Sequence, residues 1–218
     1  MSSVRYRPMV GEAATLSKPM HHRVEFEMTQ GPIPTSDQAF NHGSGRKAAV
    51  AVVVRPGDHG DELLVLRRAT FPGDPWSGHI ALPGGGAEPS DVSLEATARR
   101  ETLEETGIDL AGSECLCELG MVAPQSLGAP LVSVAPFVFR YDGNSHVTLS
   151  SEIVEAWWVA VADLERADAW STVPVVVGDG RRLQVRAFQM HGYPLWGLTE
   201  RIVEEFLEFL ELRRQQSG

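Results

Sequence analysis

The chain is poor in cysteine, in basic charge and in long apolar runs, and each shortage removes a class of protein. Its two cysteines, Cys115 and Cys117, are too close for an ordinary disulfide and lack the spacing of a metal site. A disulfide-stapled scaffold is therefore ruled out, and a reducing cytoplasm is the default compartment. No stretch approaches the roughly 20 apolar residues of a membrane span. The opening MSSVRYRPMVGEAATLSKPM has no apolar core of the kind a signal peptide carries. Lys and Arg number 19 against 29 Asp and Glu, a net charge of −10, with no basic run longer than a few residues. DNA or RNA is a poor partner for such a surface. The seven histidines are scattered, apart from His21-His22, and suggest no zinc site.

What is present suits one globular domain. The chain has 218 residues, 43% of them hydrophobic, enough to bury a substantial core. Residues 1–45 are interrupted by Pro8, Pro19, Pro32 and Pro34 and read as an arm or loop, within which His22 to Met28 alternates like an outlying strand. This arm either packs on a neighbouring subunit, as in a homodimer, or is a loosely held leader. The domain proper is expected over 46–218. Lys47 to Val54 is a buried-strand run, and Glu62 to Arg68 closes a hairpin over 48–68. A loop, Thr70 to Gly78, leads into a short strand, His79 to Leu82. Further strands are expected at 116–122, 131–141 and 153–161, with a second hairpin at 172–177 and 183–190. The last element is a helix with an apolar stripe of Ile202, Val203, Phe206, Phe209 and Leu210. Many strands, with one helix among them and one after them, make an α+β domain: a mixed sheet with helices on its faces.

The centre of this pattern is Leu82 to Leu110, LPGGGAEPSDVSLEATARRETLEETGIDL. Pro83, Gly84, Gly85 and Gly86 stop the preceding strand. Ser90, Asp91 and Ser93 are candidate N-caps for a helix that ends at Gly107. At about 100° per residue, Glu101, Glu104 and Glu105 share one arc of roughly 100°. Three carboxylates there repel one another. Either they form a solvated acidic face or a hard cation such as Mg²⁺ sits among them.

The stretch resembles the Nudix box, G-x5-E-x7-R-E-U-x-E-E-x-G-U with U apolar. Arg100 to Ile108 fits the second half, with Thr102 a weak apolar. The first half departs: Val92 stands where the pattern has Glu, Asp91 is beside it, and Gly85 to Arg100 is one residue longer than usual. That insertion, with an Asp before the helix, is similar to the coenzyme A pyrophosphatase branch. Ser77 to Gly85, Val134 to Phe139, Glu152-Ile153 with Trp158-Val159, and Trp196 to Thr199 also resemble this branch, so the likeness covers about 48–210. Pro72 and Trp76 depart from it, standing about where the branch has Arg and His.

The resemblance implies the α/β/α sandwich of the Nudix fold. It further implies hydrolysis of a nucleoside diphosphate derivative with Mg²⁺ or Mn²⁺ as cofactor. The ligands it implies are Glu101, Glu104 and Glu105, with the Gly85 carbonyl as a further donor. Arg100 would orient a glutamate or form a surface ion pair. The general base would be a box glutamate or Glu152, with Glu155 a weaker alternative. Arg67 and Arg68 are candidates for phosphate binding, and Trp76 either stacks on a base or anchors its loop. Trp157 and Trp158 read as strand packing, and His79 as structural. The substrate expected from the branch is coenzyme A or an acyl-CoA. ADP-ribose or another such derivative is the alternative, and a non-catalytic nucleotide-binding module is the rival outside enzymology.

Overall fold

The computed structural model describes residues 46–74, 76–124, 132–143, 145–177 and 180–217. The N-terminal arm and the strand expected at 22–28 lie outside the described residues.

The first strand, β1 (Arg46–Gly57), turns back into β2 (Gly60–Arg68), as the apolar runs predict. Along β1, Val52 and Val54 enter one core, whereas Ala49, Ala51 and Val53 enter another. On β2 the partition is Leu63 and Val65 against Leu64 and Leu66. This two-residue alternation between two dry cores means that the sheet is covered on both faces.

β1 runs parallel to β6 (Val132–Arg140), and β6 pairs with β5 (Glu114–Glu118) on its far side. The other edge of β1 is shared. Near its C-terminal end it pairs with β2, and near its start, Ala48 to Val50, with β4 (Gly84–Gly86). β2 shares an edge in the same way, between β1 and β3 (Ile80–Ala81), while β7 (Ile153–Ala160) holds its other edge. A strand has only two hydrogen-bonding edges, so β3 and β4 fill the gap where β1 and β2 splay apart.

This corrects the expectation that Gly84 to Gly86 form only a turn: they extend the ladder. Gly84 is required by close approach. A Cβ there would lie 2.4 Å from the Ala49 carbonyl oxygen and 2.7 Å from the Val50 Cα.

Helix α1 (Leu94–Thr106) lies on the alanine-rich face of β1. Its buried side includes Leu94, Thr97, Ala98, Thr102 and Thr106. The Thr102 and Thr106 hydroxyls donate to the carbonyls of Ala98 (2.7 Å) and Thr102 (2.6 Å), so their burial leaves no unmet donor. Of the candidate caps Ser93 is the one used, accepting from the Ala96 N–H at 3.0 Å. Gly107, at φ 69°, closes the helix with its N–H on the Leu103 carbonyl.

The opposite face carries a short helix, α2 (Val161–Leu164), and a separate antiparallel sheet: β8 (Trp170–Val176), β9 (Arg182–Met190) and β10 (Tyr193–Trp196). The long helix α3 (Leu198–Ser217) joins the same core. Ile202, Val203 and Phe206 are almost fully buried with Val52, Leu63 and Val65, each contributing about 1.5–3 kcal/mol of transfer energy. The result is the expected α/β/α sandwich of the α+β class. The sequence pattern missed β10 and α2, and it extended the 153–161 strand by Val161, which instead opens α2.

Candidate active site

Wedging β3 and β4 into the sheet sets the glycine segment against the C-terminal half of α1. Glu105 is 6% exposed, and its carboxylate accepts from the Gly84 N–H at 3.0 Å. Burial pushes it up to about 7; the Gly84 N–H and Arg68 work against that rise, and the nearby charges of Glu101 and Glu152 add to it. Glu101 lies against the second glycine: a Cβ on Gly85 would lie 2.4 Å from its carboxylate oxygen. Burial raises Glu101 too, opposed by Arg100 and reinforced by Glu104 and Glu152. Glu104 is the outlier of the three, with a side chain 58% exposed and one oxygen 3.2 Å from Arg100.

Arg100 organises this end of the helix. Its Nε and Nη2 form a fork with Asp91 (3.0 Å each), Nη2 also reaches the Gly86 carbonyl (3.0 Å), and Nη1 bridges Glu101 (3.0 Å) and Glu104 (3.2 Å). These bonds occupy the whole donor set of a guanidinium. Arg100 is thereby bonded to both Glu101 and Glu104, with each of its five donors engaged. Asp91 also accepts from Thr97 Oγ1 (2.8 Å) and the Glu88 N–H (2.9 Å), and the Arg100 guanidinium holds it well below the usual carboxylate range. Val92, in the pattern's Glu position, is 88% exposed. Asp91 thus supplies the carboxylate partner of Arg100 from one position earlier. The sequence carried a sign of the acid itself, one residue off the pattern with one extra residue in the spacing, but not of its pairing with Arg100.

The other candidates divide between the two faces. Glu152 precedes β7, and its carbonyl accepts from the Ala69 N–H at 2.7 Å; its charge acts on both Glu101 and Glu105. Glu155 is instead committed to Arg67 at 2.5 Å, and the Arg67 guanidinium lies 4.4 Å from the Tyr193 ring centre. Strand alternation puts the two arginines on opposite faces, and a bulge at Val154 of β7 shifts their pairing from Glu155 to Ile153. Arg68 belongs to the Glu105 side, bound to Asp74 at 3.0 Å. Trp76 is half-buried, and its backbone N–H donates to the second Asp74 oxygen at 2.9 Å. Trp157 and Trp158 pack into opposite cores, and His79 lies 5.2 Å from the Trp196 ring. Thr199 Oγ1 donates to the Ile80 carbonyl at 3.0 Å, tying the start of α3 to the strand before the glycine segment.

Among the described residues, no group of three or more His, Cys, Asp or Glu side chains stands arranged to hold a metal ion. The donor chemistry nevertheless fits a hard divalent cation. Its oxygens come from carboxylates, of which Glu105 is buried and Glu101 partly buried, at a cost that a cation would offset. Glu101 and Glu105 are the carboxylates set against the glycine segment, and Glu104, 58% exposed, lies beside them on the helix.

The fold therefore sets an acid-rich helix end against a glycine segment on an α/β/α sandwich. Residues 45–176 match the NUDIX domain family, more than half the chain, and the chain belongs to that family. Nudix hydrolase 22, chloroplastic, of Arabidopsis thaliana is 41% identical over 164 residues, which cover 72% of this chain and 53% of the plant protein. Nudix hydrolase NudL of Yersinia enterocolitica, itself uncharacterized, is 26% identical over 184 residues, 82% of this chain and 87% of the relative. Other curated relatives are spanned for only about a third of their length, 32% and 30%. Among solved structures, the NUDIX domain of Shewanella oneidensis NrtR complexed with ADP ribose superposes at a TM-score of 0.53, with 18% identity over 78% of this chain and 90% of that one. At that identity the likeness establishes the fold. No helix among the described residues is long and apolar enough to cross a membrane.

Proposed function

We propose that this chain hydrolyses the pyrophosphate bond of coenzyme A or an acyl-CoA, giving 3′,5′-ADP and 4′-phosphopantetheine, with Mg²⁺ or Mn²⁺ as cofactor. The observation that carries the hydrolytic reading is the buried Glu105 carboxylate with the partly buried Glu101 beside it, joined by the charge of Glu152 from a different part of the chain. Such crowding costs stability and is useful where cationic charge or a proton must be held. The coenzyme A assignment is supported by the glycine-turn segment Ser77 to Gly85, by the Asp before the helix, and by the later segments that resemble that branch.

In this reading Glu101, Glu104, Glu105 and the Gly85 carbonyl hold the cation. Bound there, it would neutralise pyrophosphate charge and lower the pKa of an attacking water. The protein's own groups do the rest. Arg100, fixed by Asp91, aims Glu101 and Glu104. Glu152 approaches the cluster from outside the helix and accepts the proton of the water at its carboxylate. Arg68 supplies positive charge on the Glu105 side, whereas Arg67 is held by Glu155. The partner is a small nucleotide molecule.

A second reading, ADP-ribose or a related nucleoside diphosphate derivative, is favoured by Pro72 and Trp76 at positions where the coenzyme A branch has Arg and His. Product analysis of coenzyme A, acetyl-CoA, ADP-ribose and diadenosine tetraphosphate with Mg²⁺ and with Mn²⁺ separates the two. The first reading expects 3′,5′-ADP from coenzyme A at the highest kcat/KM. AMP from ADP-ribose at a higher kcat/KM would replace it with the second, and no turnover of any of these would overturn both.

A further inference from the structure

Two neighbouring arginines end β2, and the fold uses them differently. Arg67 is closed off by Glu155 and the Tyr193 ring. Arg68, beyond the bulge, pairs across the ladder with Ile153, the residue after Glu152, and the Ala69 N–H is bonded to the Glu152 carbonyl. Among the described residues its guanidinium is held on one arm, Nη2 on Asp74 at 3.0 Å. Its Nε is buried and, among the described residues, has no hydrogen-bond partner. A buried guanidinium N–H without an acceptor is rare in folded proteins, because the lost water contact is uncompensated. The Arg68 side chain as a whole is 26% exposed on the Glu105 side, so a guanidinium with a donor uncommitted suits an oxyanion that arrives with a ligand, and guanidinium–phosphate bonds are strong and directional.

Asp74 sets this geometry. Its side chain is only 19% exposed and both oxygens are committed, one to Arg68 and the other to the Trp76 N–H. The second bond fixes the carboxylate to its own loop, so the first fixes the guanidinium to that loop as well. We propose that Asp74 is a positioning residue: it holds one arm of Arg68 so that the rest of the guanidinium meets a phosphate oxygen of a nucleoside diphosphate substrate beside Glu105 and Glu152. This rests on the hydrolytic reading above and assigns the recognition of the diphosphate to Asp74 acting through Arg68. It also explains why a carboxylate, ordinarily repellent to a phosphate, belongs so near the site: its charge is spent on the arginine.

The test uses the full chain with Asp74→Asn, Arg68→Ala and the double variant. Asn keeps an oxygen for the Trp76 N–H and removes the charge that holds Arg68. Equilibrium binding of ADP, measured calorimetrically, and KM and kcat for coenzyme A with Mg²⁺ are the readouts. Asp74→Asn should weaken ADP binding and raise KM about tenfold, the scale of one charge-assisted hydrogen bond, with kcat changed much less. In the Arg68→Ala background the same substitution should change ADP binding by less than about twofold, because its effect passes through Arg68. Multiplying effects in the double variant would overturn the proposal, as would unchanged ADP binding in Asp74→Asn or no ADP binding by the wild type. If the wild type binds ADP with this coupling but hydrolyses no substrate, the positioning role stands and the hydrolytic reading falls. If it hydrolyses coenzyme A and the coupling is absent, the reverse holds.

Discussion

Replacing Asp91 with Asn tests whether a single carboxylate aligns the acidic end of α1. The aspartate side chain is 6% exposed and accepts four hydrogen bonds, two from the Arg100 fork and one each from Thr97 Oγ1 and the Glu88 N–H. Asparagine has the same shape but one oxygen. Whichever way the amide turns, an NH₂ must face at least one N–H or O–H donor, and little water can reach the gap. A lost hydrogen bond to a charged group costs about 1.5–3 kcal/mol. Breaking a fully buried ion pair costs about 3–5 kcal/mol, but Arg100 is 20% exposed and keeps Glu101 and Glu104 as counter-charges, so the lower range applies. A loss of about 2–3 kcal/mol lowers the Tm of a domain this size by about 4–12 °C. The pH dependence supplies a second signature. A carboxylate held below its ordinary pKa stabilises the fold fully above its unfolded value of about 3.9. That contribution is lost as pH falls below this value toward the folded pKa. The gap between wild type and variant should therefore be widest near neutrality and close progressively from about pH 4 downward. Thermal melts across pH, with circular dichroism at 25 °C to show that the variant is folded, measure both. A Tm within 2 °C of wild type at pH 7, or a gap that persists unchanged at low pH, would refute the argument.

Glu104→Gln and Glu105→Gln should each lower kcat more than a hundredfold with the fold retained, on a loss of at least ~3 kcal/mol of transition-state stabilisation; rates within tenfold of wild type for both would remove them from the site. Mg²⁺ or Mn²⁺ at about a hundredfold excess over Kd should stabilise the folded chain by about 2.7 kcal/mol, and Glu105→Gln should blunt the rise in Tm at matched ionic strength. Equal shifts in both proteins, or none, count against the cation site. With cations chelated, the elevated Glu105 gives the opposite pH sign to Asp91: the folded state holds its proton longer, so stability should fall as pH rises from about 4.3, its unfolded value, to about 7. Glu105→Gln should flatten that slope, and an identical slope in the variant would show that another group is responsible. Gly84→Ala should destabilise severely, because its Cβ would lie 2.4 Å from the Ala49 carbonyl oxygen, backbone that cannot step aside without breaking the β1–β4 pairing; a soluble, wild-type-like variant would contradict the close approach.

Much of this architecture is local, and local structure is legible in a sequence. The Val-rich run of β1 alternates between two cores, Ser93 and Gly107 bound α1, and the stripe Ile202, Val203, Phe206 marks the face of α3. Each depends on residues within a few positions of one another, through hydrogen bonds and side-chain periods that repeat every two or 3.6 residues. The spacing of Glu101, Glu104 and Glu105 on one helical arc follows from the same geometry.

The rest depended on which distant segments meet. Strand alternation puts Arg67 and Arg68 on opposite sides of the sheet, but only the pairing with β7 and the folded loop after β2 give one Glu155 as a partner and the other Asp74. Glu152 and Glu155 divide for the same reason. The equal ranking of three glutamates also dissolved, since burial against Gly84 and Gly85 desolvates Glu105 and Glu101 while Glu104 remains in water. Asp91 was visible as an acid out of register, but its partner was not, because only the folded loop brings a carboxylate nine residues away onto the Arg100 fork. Helix and strand periods come from short-range sterics and can be read along the chain. Charge pairing and desolvation depend on through-space distance and on excluded water, and those exist only once the sheet has closed between its two layers.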